Sequence, residues 1–318
     1  MKSKILFMGT PDFADTSLRA LIEAGADVIG VVTQPDKPKG RKMILTPPPV
    51  KETATAHNIP VYQPKTLRGD EFAAQLEQIN PDMIVVAAFG KILPQNVLDY
   101  PKMGCICVHG SLLPKYRGAA PMQRAIIDGE RETGITIMYM DAGIDTGDMI
   151  AKAVVPIELH DDFESVHDKM AEAGAKLLLE TIEAMEAGTA TREKQDDLKS
   201  TYAAKIENAD CVLDFDADAM AVYNRIRGLS PFPLTVVEHR GRALKIVSAE
   251  LCDTVKEHRN PGEVLKCDAA ANRIEVACRT GAIAITGLLP EGKSRMRAAD
   301  FINGRKIEAG DRLVKFTR

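Results

Sequence analysis

The sequence predicts a doubly wound α/β domain with a parallel sheet over roughly residues 1–190, followed by a small antiparallel β-barrel. In the first part, uninterrupted apolar runs alternate with helical patterns, which is typical of strands that helices cover on both faces. From about Val212 the apolar runs become short and turn residues separate them, as in small barrels. The length of 318 residues also fits about two domains.

The first domain opens with a strand, a helix and a second strand. Residues 4–9 form an apolar run that ends in glycine, a helical pattern covers 14–24, and residues 27–33 form another apolar run. This succession implies parallel strands joined by a right-handed crossover. The following pattern predicts a helix over 71–79, strands over 82–90, 105–110 and 134–140, and a long closing helix over 164–187.

The second domain contains five short β-like runs. They cover residues 234–239, 243–251, 263–267, 273–278 and 282–289. Residues around 190–209 are polar and lack periodicity, which predicts a linker. We therefore expect a catalytic domain over 1–189, a linker over 190–209 and a C-terminal domain over 210–318.

Composition and charge restrict the classes of protein. Charged residues make up 27% and hydrophobic residues 45% of the chain, which excludes a disordered or collagenous protein. No apolar run approaches the ~18 residues of a membrane span, the N-terminus lacks a signal-peptide core, and the six cysteines are scattered, so we expect a reduced cytoplasmic protein. Residues 208–318 hold 18 Lys/Arg and 15 Asp/Glu, a net +3, against −4 for the whole chain. This asymmetry indicates either a polyanion partner for the C-terminal part or chance.

Two glycine-containing segments resemble phosphate-binding loops. Residues 9–14, GTPDFA, follow a strand and open a helix but lack the GxGxxG dinucleotide pattern, which leaves a structural turn or a ligand contact. Residues 287–294, GLLPEGKS, satisfy the Walker A spacing. Pro290 has no amide proton, Glu291 would repel phosphate and the neighbouring strands are predicted to be antiparallel, so we expect no P-loop there.

A basic loop follows the second strand. Residues 34–51 contain Lys37, Lys39, Arg41, Lys42 and Lys51 together with five prolines. Proline and glycine disfavour a helix, so we expect an extended, semi-rigid arm at the carboxyl end of the strand. The pattern favours nucleic-acid contact, and the alternative is a solvated surface loop.

The segment 105–121, CICVHGSLLPKYRGAAP, carries the richest chemistry. Cys105, Cys107 and His109 share one face of the predicted strand. Three functions remain open for them: a metal site with at most three ligands, a Cys107–His109 nucleophile pair, or His109 acting alone as an acid–base group. A purely structural histidine is the fourth alternative.

The segment 140–150, MDAGIDTGDMI, is a second candidate. Asp141, Asp145 and Asp148 lie among glycines that permit tight turns and close approach of a ligand. An aspartate here would orient His109 if the two strand ends are neighbours. An ordinary turn is the alternative, because the spacing does not match a calcium loop.

These two loops resemble those of the folate-dependent formyltransferases. The carrying residues are HGSLLPKYRGAAP (109–121) and DAGIDTGD (141–148), and the likeness extends over the whole chain through MGTPDFA, TQPDKPKGR, NRIRGLSPFP and PEGKSRM. The basic loop and the C-terminal domain resemble the members that act on methionyl-tRNA. The resemblance implies a Rossmann-like domain followed by an OB-like tRNA-binding domain, and formyl transfer from 10-formyltetrahydrofolate to the methionine amino group of initiator Met-tRNA for translation initiation. It implies no metal, and we expect a monomer.

The resemblance also assigns roles to residues. His109 corresponds to the family's histidine, which stabilises the oxyanion and moves protons, and Asp145 to the aspartate that orients it. The family has asparagine where this chain has Cys107, and a thiol is a weaker donor than an amide. Either the enzyme is slower, or another donor serves the oxyanion, or the chain is a relative with lost or changed activity. The resemblance places folate beside Phe89, Gly90, Ile92, Leu93, Pro94, Ser111, Leu112, Leu113, Pro114 and Asp141, and tRNA beside Lys37, Lys39, Arg41 and Lys42.

Alternative functions stay open at this point. The chain could formylate a nucleotide-sugar amine or a purine-pathway amine, or hydrolyse formyl-folate. A binding protein without turnover is a third possibility, because of Cys107. A metal-dependent hydrolase is the remotest alternative.

Overall fold

The computed structural model describes residues 1–40, 43–253 and 260–317. In chain order the elements are β1 (Ile5–Gly9), α1 (Asp12–Glu23), β2 (Val28–Val32), β3 (Lys37–Lys39), β4 (Ile44–Thr46), α2 (Pro49–Ala56), β5 (Val61–Tyr62), α3 (Asp70–Ile79), β6 (Met83–Ala87), α4 (Gln95–Leu98), β7 (Cys105–His109), β8 (Arg117–Gly118), α5 (Pro121–Ile127), β9 (Glu132–Tyr139), β10 (Met149–Pro156), α6 (Phe163–Glu186), β11 (Tyr202–Ala203), α7 (Asn208–Cys211), α8 (Ala219–Gly228), β12 (Thr235–His239), β13 (Arg242–Leu251), β14 (Val264–Asp268), β15 (Arg273–Ala277), β16 (Ala282–Pro290), β17 (Met296–Arg297), α9 (Ala298–Asn303) and β18 (Leu313–Lys315).

The chain divides into two compact units. Unit one comprises Met1–Ala119, Glu132–Pro156 and His167–Ala203, and unit two comprises Ala120–Arg131, Ile157–Val166 and Ala204–Arg318. The division at 1–189, 190–209 and 210–318 stays a prediction. Among the described residues, no helix has the length and apolarity that crossing a membrane would require.

Unit one is built around a mixed sheet with the strand order β10-β9-β7-β6-β1-β2-β5. Strands β1, β2, β5, β6 and β7 are parallel, which confirms the predicted α/β fold class. Strands β1 and β6 are buried along their whole length, as their uninterrupted apolar sequences predict. The sheet's central strands therefore form a rigid base for the loops at their carboxyl ends.

The connection from β1 to α1 requires glycine. A Cβ atom on Gly9 would lie 2.6 Å from the Cβ of Ala14 and 3.0 Å from the carbonyl oxygen of Ala87. The glycine therefore permits the helix to start close against the sheet. This is a packing role, and it explains the GTPDFA segment without a phosphate.

One end of the sheet differs from the parallel arrangement that the sequence predicts. Strand β9 runs antiparallel to β7, and β10 runs antiparallel to β9. The apolar run of β9 resembles those of the parallel strands because all but its two terminal residues are buried, so its direction is not visible in the pattern. Strand β10, with alternating exposure, is absent from the predicted elements.

The basic loop is more ordered than an extended arm. Strands β3 and β4 pair as an antiparallel hairpin, and α2 begins at Pro49, inside the segment for which no helix was expected. That expectation was wrong at the end of the loop, because the first position of a helix needs no amide donor and tolerates proline.

Unit two contains the predicted antiparallel barrel-like sheet. Its strand order is β14-β15-β16-β13-β12-β18, and β17 pairs with β16. The core combines strand residues such as Ile246 and Ile285 with Val222 and Ile226 from α8. The segment 287–294 joins antiparallel β16 and β17, so it lacks the strand–helix setting of a P-loop.

Candidate active site

His109 is the last residue of β7 and its side chain is 6% exposed. Its Nε2 atom lies 3.1 Å from the carbonyl oxygen of Tyr116, and its Nδ1 atom lies 3.6 Å from Oδ2 of Asp145. Because a carbonyl oxygen only accepts, the Tyr116 contact requires a proton on Nε2. Nδ1 then faces the Asp145 carboxylate. The ring is thus held between two oxygen atoms, one on each nitrogen side.

Asp145 is fixed from two sides. Its Oδ2 atom accepts a hydrogen bond of 2.8 Å from the Gly118 amide, in addition to facing His109. Its backbone φ is +54°, in the left-handed region where non-glycine residues are uncommon. A conformation of this kind persists only where the surrounding contacts hold it.

The loop around Asp145 is closed by internal contacts. Oδ1 of Asp141 accepts hydrogen bonds from the Gly143 amide at 3.0 Å and the Thr146 hydroxyl at 2.7 Å. A Cβ atom on Gly147 would lie 1.8 Å from the carbonyl oxygen of Tyr139. Glycine at 147 is therefore necessary for the chain to pass this carbonyl.

Gln195 holds the other side of this loop. Its side chain is 5% exposed, and its Nε2 group donates hydrogen bonds of 2.8 Å to the carbonyl oxygens of Asp145 and Gly147. Its Oε1 atom accepts a hydrogen bond of 3.0 Å from Nε of Arg117. The Nη2 group of the same arginine donates to Oδ1 of Asp197 at 2.7 Å. Arg117 lies on β8, whose next residue, Gly118, supplies the amide to Asp145. Strand β8 thus links the two hydrogen bonds that Asp145 accepts, from the Gly118 amide directly and from Gln195 through Arg117.

The route by which Asp145 reaches His109 differs from the sequence argument. Since β9 is antiparallel to β7, its last residue, Tyr139, pairs with Ile106 near the start of β7, and His109 pairs with Thr136. The ends of these two strands are therefore not neighbours. The pair forms because the chain after Tyr139 returns toward the carboxyl end of β7 before β10 begins.

Cys107 lies two residues before His109 and packs against Leu113, Met138 and Met149. Burial raises the pKa of its thiol far above the ordinary value, and the charge of Asp145 raises it further. A nucleophilic cysteine requires a lowered pKa, so this environment disfavours the Cys107–His109 nucleophile pair. The group present at this position is a neutral thiol.

Cys105 belongs to a different environment. Its Sγ lies 3.5 Å from the carbonyl oxygen of Val97 and 3.7 Å from that of Leu98, and burial raises its pKa to about 12. Within the described ranges, no group of three or more His, Cys, Asp or Glu side chains is placed to hold a metal ion.

The residues predicted to border folate fall into two groups. Phe89 and Leu93 are buried, while Ile92 is 77% exposed and Gly90 has a φ of +75°. The Phe89 carbonyl oxygen accepts a 2.9 Å hydrogen bond from Gln34, which fixes this turn. Pro94 precedes α4 as its N-cap residue.

The second group follows His109. The Ser111 hydroxyl donates to the Lys115 carbonyl oxygen at 2.7 Å, and Leu113 is buried. Leu112 and Pro114 are partly exposed. Asp141, in the loop after β9, is exposed. Contact of both groups with folate stays a prediction.

The structure describes only part of the predicted tRNA-binding set. Lys37 lies on β3, where its Nζ donates to Oε1 of Gln34 at 3.0 Å, and the backbone of Lys39 lies on the same strand. Arg41 and Lys42 lie outside the described residues. Lys51 is used internally, since its Nζ donates to Asp36 at 2.8 Å.

Several contributors to the site were not predicted from the sequence. The Tyr116 carbonyl and the Gly118 amide act through the backbone, and Gln195 lies in the segment expected to be a linker. Tyr116, Arg117 and Gly118 belong to the quoted motif, so that motif was a signal for them. Nothing in the sequence around Gln195 distinguishes it from a surface residue.

Comparisons with known proteins identify the family. Residues 1–182 match the formyl transferase family model, and residues 205–306 match the model of the formyl transferase C-terminal domain. Methionyl-tRNA formyltransferase from Citrifermentans bemidjiense is 47% identical over 98% of this chain and 96% of its own length. The protein of the same name from Bacillus subtilis is 48% identical over 98% of each chain.

Solved structures share the fold. WlaRD, a sugar 3N-formyl transferase solved with dTDP and 5-N-formyl-THF, is 19% identical, covers 92% of this chain and 100% of its own, and gives a TM-score of 0.67. Methionyl-tRNA formyltransferase from Clostridium thermocellum is 18% identical, with coverage of 79% and 94% and a TM-score of 0.55.

Proposed function

The chain belongs to the formyl transferase family, and from this premise we propose that it formylates the methionine amino group of initiator Met-tRNA. The formyl donor is 10-formyltetrahydrofolate, and the product is N-formylmethionyl-tRNA for translation initiation. Relatives named methionyl-tRNA formyltransferase are 47–48% identical over nearly the whole chain, which supports Met-tRNA as the acceptor above a sugar or purine amine. The observation that carries the chemistry is the contact between buried His109 at the end of β7 and partly buried Asp145.

Formyl transfer needs a proton shuttle and a stabilised oxyanion. The amine attacks the formyl carbon, its proton must leave, and the folate nitrogen must gain a proton as it departs. We assign the proton transfers to His109, whose Nδ1 atom faces the Asp145 carboxylate. Asp145 orients the ring, since its Oδ2 atom lies 3.6 Å from Nδ1. The Tyr116 carbonyl holds the opposite nitrogen and fixes the ring plane.

Cys107 occupies the position from which the family's asparagine donates to the oxyanion. Its thiol stays protonated because burial raises its pKa, but a thiol is a weak donor. Loss of one oxyanion donor costs about 10²–10³ in rate. We therefore propose a competent proton shuttle combined with a weak donor for the oxyanion.

The substrates are assigned to two regions of unit one. Folate is proposed to lie against the Phe89–Pro94 turn and the residues that follow His109, where exposed Ile92 offers an apolar surface. Contact with the tRNA is proposed for Lys37 and Lys39 on β3 and for Arg41 and Lys42, which lie outside the described residues. Such phosphate contacts make binding weaken as salt rises. Because aminoacyl-tRNA and folate are cytoplasmic, we propose a cytoplasmic protein. The monomer stays a prediction that light scattering tests.

The test is formyl transfer to initiator Met-tRNA by the natural chain and by Cys107→Asn in parallel. We expect both to turn over and the asparagine variant to be at least about tenfold faster, because it gains a firm donor. Equal rates would show that another donor serves the oxyanion. If neither protein transfers formyl to Met-tRNA while both remain folded, the proposed acceptor is wrong.

A further inference from the structure

An exposed aromatic ring lies in unit two, on a segment with no catalytic residue. Phe232 stands between Pro231 and Pro233, and its side chain is 76% exposed. A single exposed apolar side chain is ordinary in a folded protein. The neighbours of this ring are what distinguish it.

A cation lies on each side of Phe232. Arg295 donates from Nη2 to the carbonyl oxygen of Pro231 at 2.7 Å, and Lys245 donates from Nζ to that of Pro233 at 3.3 Å. Both side chains are exposed, as is that of Lys293 in the turn after β16. The acidic residue of that turn, Glu291, approaches the Ala243 amide at 3.4 Å. The exposed ring is thus bordered by positive charge.

The segment that carries the ring is fixed before any ligand arrives. The Ser230 hydroxyl donates to the carbonyl oxygen of Val247 at 2.8 Å, and the Leu234 amide donates to that of Leu229 at 2.8 Å. The proline rings at 231 and 233 restrict the backbone on both sides of Phe232. A ligand that contacts the ring therefore pays little to order it.

The contact between Arg295 and Pro231 joins two sequence stretches that carry the family resemblance. NRIRGLSPFP covers residues 224–233 and PEGKSRM covers residues 290–296.

We propose that Phe232 stacks on an unpaired nucleobase of the tRNA, while Arg295, Lys245 and Lys293 contact the adjoining phosphates. Aromatic rings interleaved with cations are the usual platform for unpaired nucleotides, since every base has a π-face and every nucleotide a phosphate. The net charge of +3 over residues 208–318 favours a polyanion. The proposal rests on the proposed function, because it takes its ligand from the tRNA substrate.

The chain contains no tryptophan, so Phe232→Trp introduces a single indole at the proposed platform. We expect Met-tRNA to quench its fluorescence and heparin, a polyanion without bases, to leave it unchanged. Leu265→Trp on β14 is the matched control, because Leu265 is also an exposed apolar residue of unit two. Its indole should respond to neither ligand.

Steady-state kinetics supply an independent measurement. Phe232→Ala should raise the KM for Met-tRNA about 5- to 150-fold, the loss expected for one base–aromatic stack, and leave the KM for 10-formyltetrahydrofolate unchanged. Phe232→Tyr should retain the natural KM, whereas Phe232→Leu should behave like the alanine variant. Arg295→Gln should lower the slope of log affinity against log salt by about one.

The outcomes separate this inference from the proposed function. If the natural chain formylates Met-tRNA but the indole at 232 ignores bound tRNA, or responds equally to heparin, the stacking site is wrong and the function stands. A natural KM in both Phe232→Ala and Phe232→Leu would overturn it in the same way. If the alanine variant does not fold, the comparison of the tyrosine and leucine variants decides. Absence of formylation by the natural chain and by Cys107→Asn contradicts the function itself.

Discussion

Gln195→Met is expected to slow formyl transfer because the Gln195 side chain holds the backbone at Asp145 and Gly147. The side chain donates two 2.8 Å hydrogen bonds to the carbonyl oxygens of Asp145 and Gly147 in a site that is 5% exposed. A methionine side chain has a similar length and can fill the same space, but it cannot donate a hydrogen bond. The loop would then lose the contacts that hold Asp145 beside His109.

The magnitude follows from those two bonds. Each intramolecular hydrogen bond contributes about 0.5–1.5 kcal/mol, so the loop loses about 1–3 kcal/mol of its preference for the active arrangement. With about 1.4 kcal/mol per tenfold change, kcat falls by about 5- to 150-fold. The control is Asp197→Asn, which removes the exposed partner of Arg117. A surface ion pair of this kind contributes about 0–1 kcal/mol, so that variant should stay within a fewfold of the natural rate.

The assay is a double-mutant cycle on kcat, with both KM values and the melting temperature recorded. If Gln195 acts by positioning Asp145, the change to methionine should cost little in an Asp145→Asn background. A purely structural role would lower stability and leave the cycle additive. An equal loss in both backgrounds, or an unchanged kcat, would refute the reasoning.

Two other changes test the loop and the electrostatics of unit two. Gly147→Ala should lower kcat at least about tenfold with an unchanged far-UV circular dichroism spectrum, since its Cβ would lie 1.8 Å from the Tyr139 carbonyl oxygen; natural activity would contradict this. Hydrogen bonds of 2.8–2.9 Å from Arg124 hold the pKa of Asp210 below its ordinary value. A carboxyl group whose pKa is lower in the folded than in the unfolded chain stabilises the folded protein at pH values above its unfolded pKa of about 3.9. Asp210→Asn should therefore lower Tm at pH 7, and the difference in Tm should shrink as the pH falls below about 4. A pH-independent difference would exclude this ionic origin.

The parallel core and the barrel-like unit were predictable because their apolar runs are bounded by turn residues. Strands β12 to β16 lie within a residue or two of their expected positions, as do β1, β2 and β7, whereas β6 ends at Ala87 and was expected to reach Gly90. Strand direction was not predictable in the same way. A strand buried on both faces has the same pattern in either direction, so β9 was grouped with the parallel strands.

The candidate site shows the same limit. The sequence pattern singled out His109 and three aspartates because glycine-rich loops follow their strands, and the family resemblance selected Asp145. The expected contact between the two loops assumed neighbouring strand ends. The structure forms the pair through a returning loop, which depends on glycine at 147 and on the buried amide of Gln195. Backbone donors and a single glutamine in a polar stretch leave no periodic signal.

In the proposed mechanism the two chemical tasks of the site are separated in space, so that Cys107 affects only one of them. The clamp on Asp145 uses the Gly118 amide and the Gln195 side chain, whereas the Cys107 thiol packs against Leu113, Met138 and Met149. A neutral thiol adds no charge next to Asp145, so the orientation of His109 does not depend on it. In that mechanism, exchange of asparagine for cysteine weakens the donor to the oxyanion and leaves the proton shuttle intact. On this argument Cys107→Asn raises the rate without altering the effect of Gln195→Met, because the two changes act on different steps of charge stabilisation.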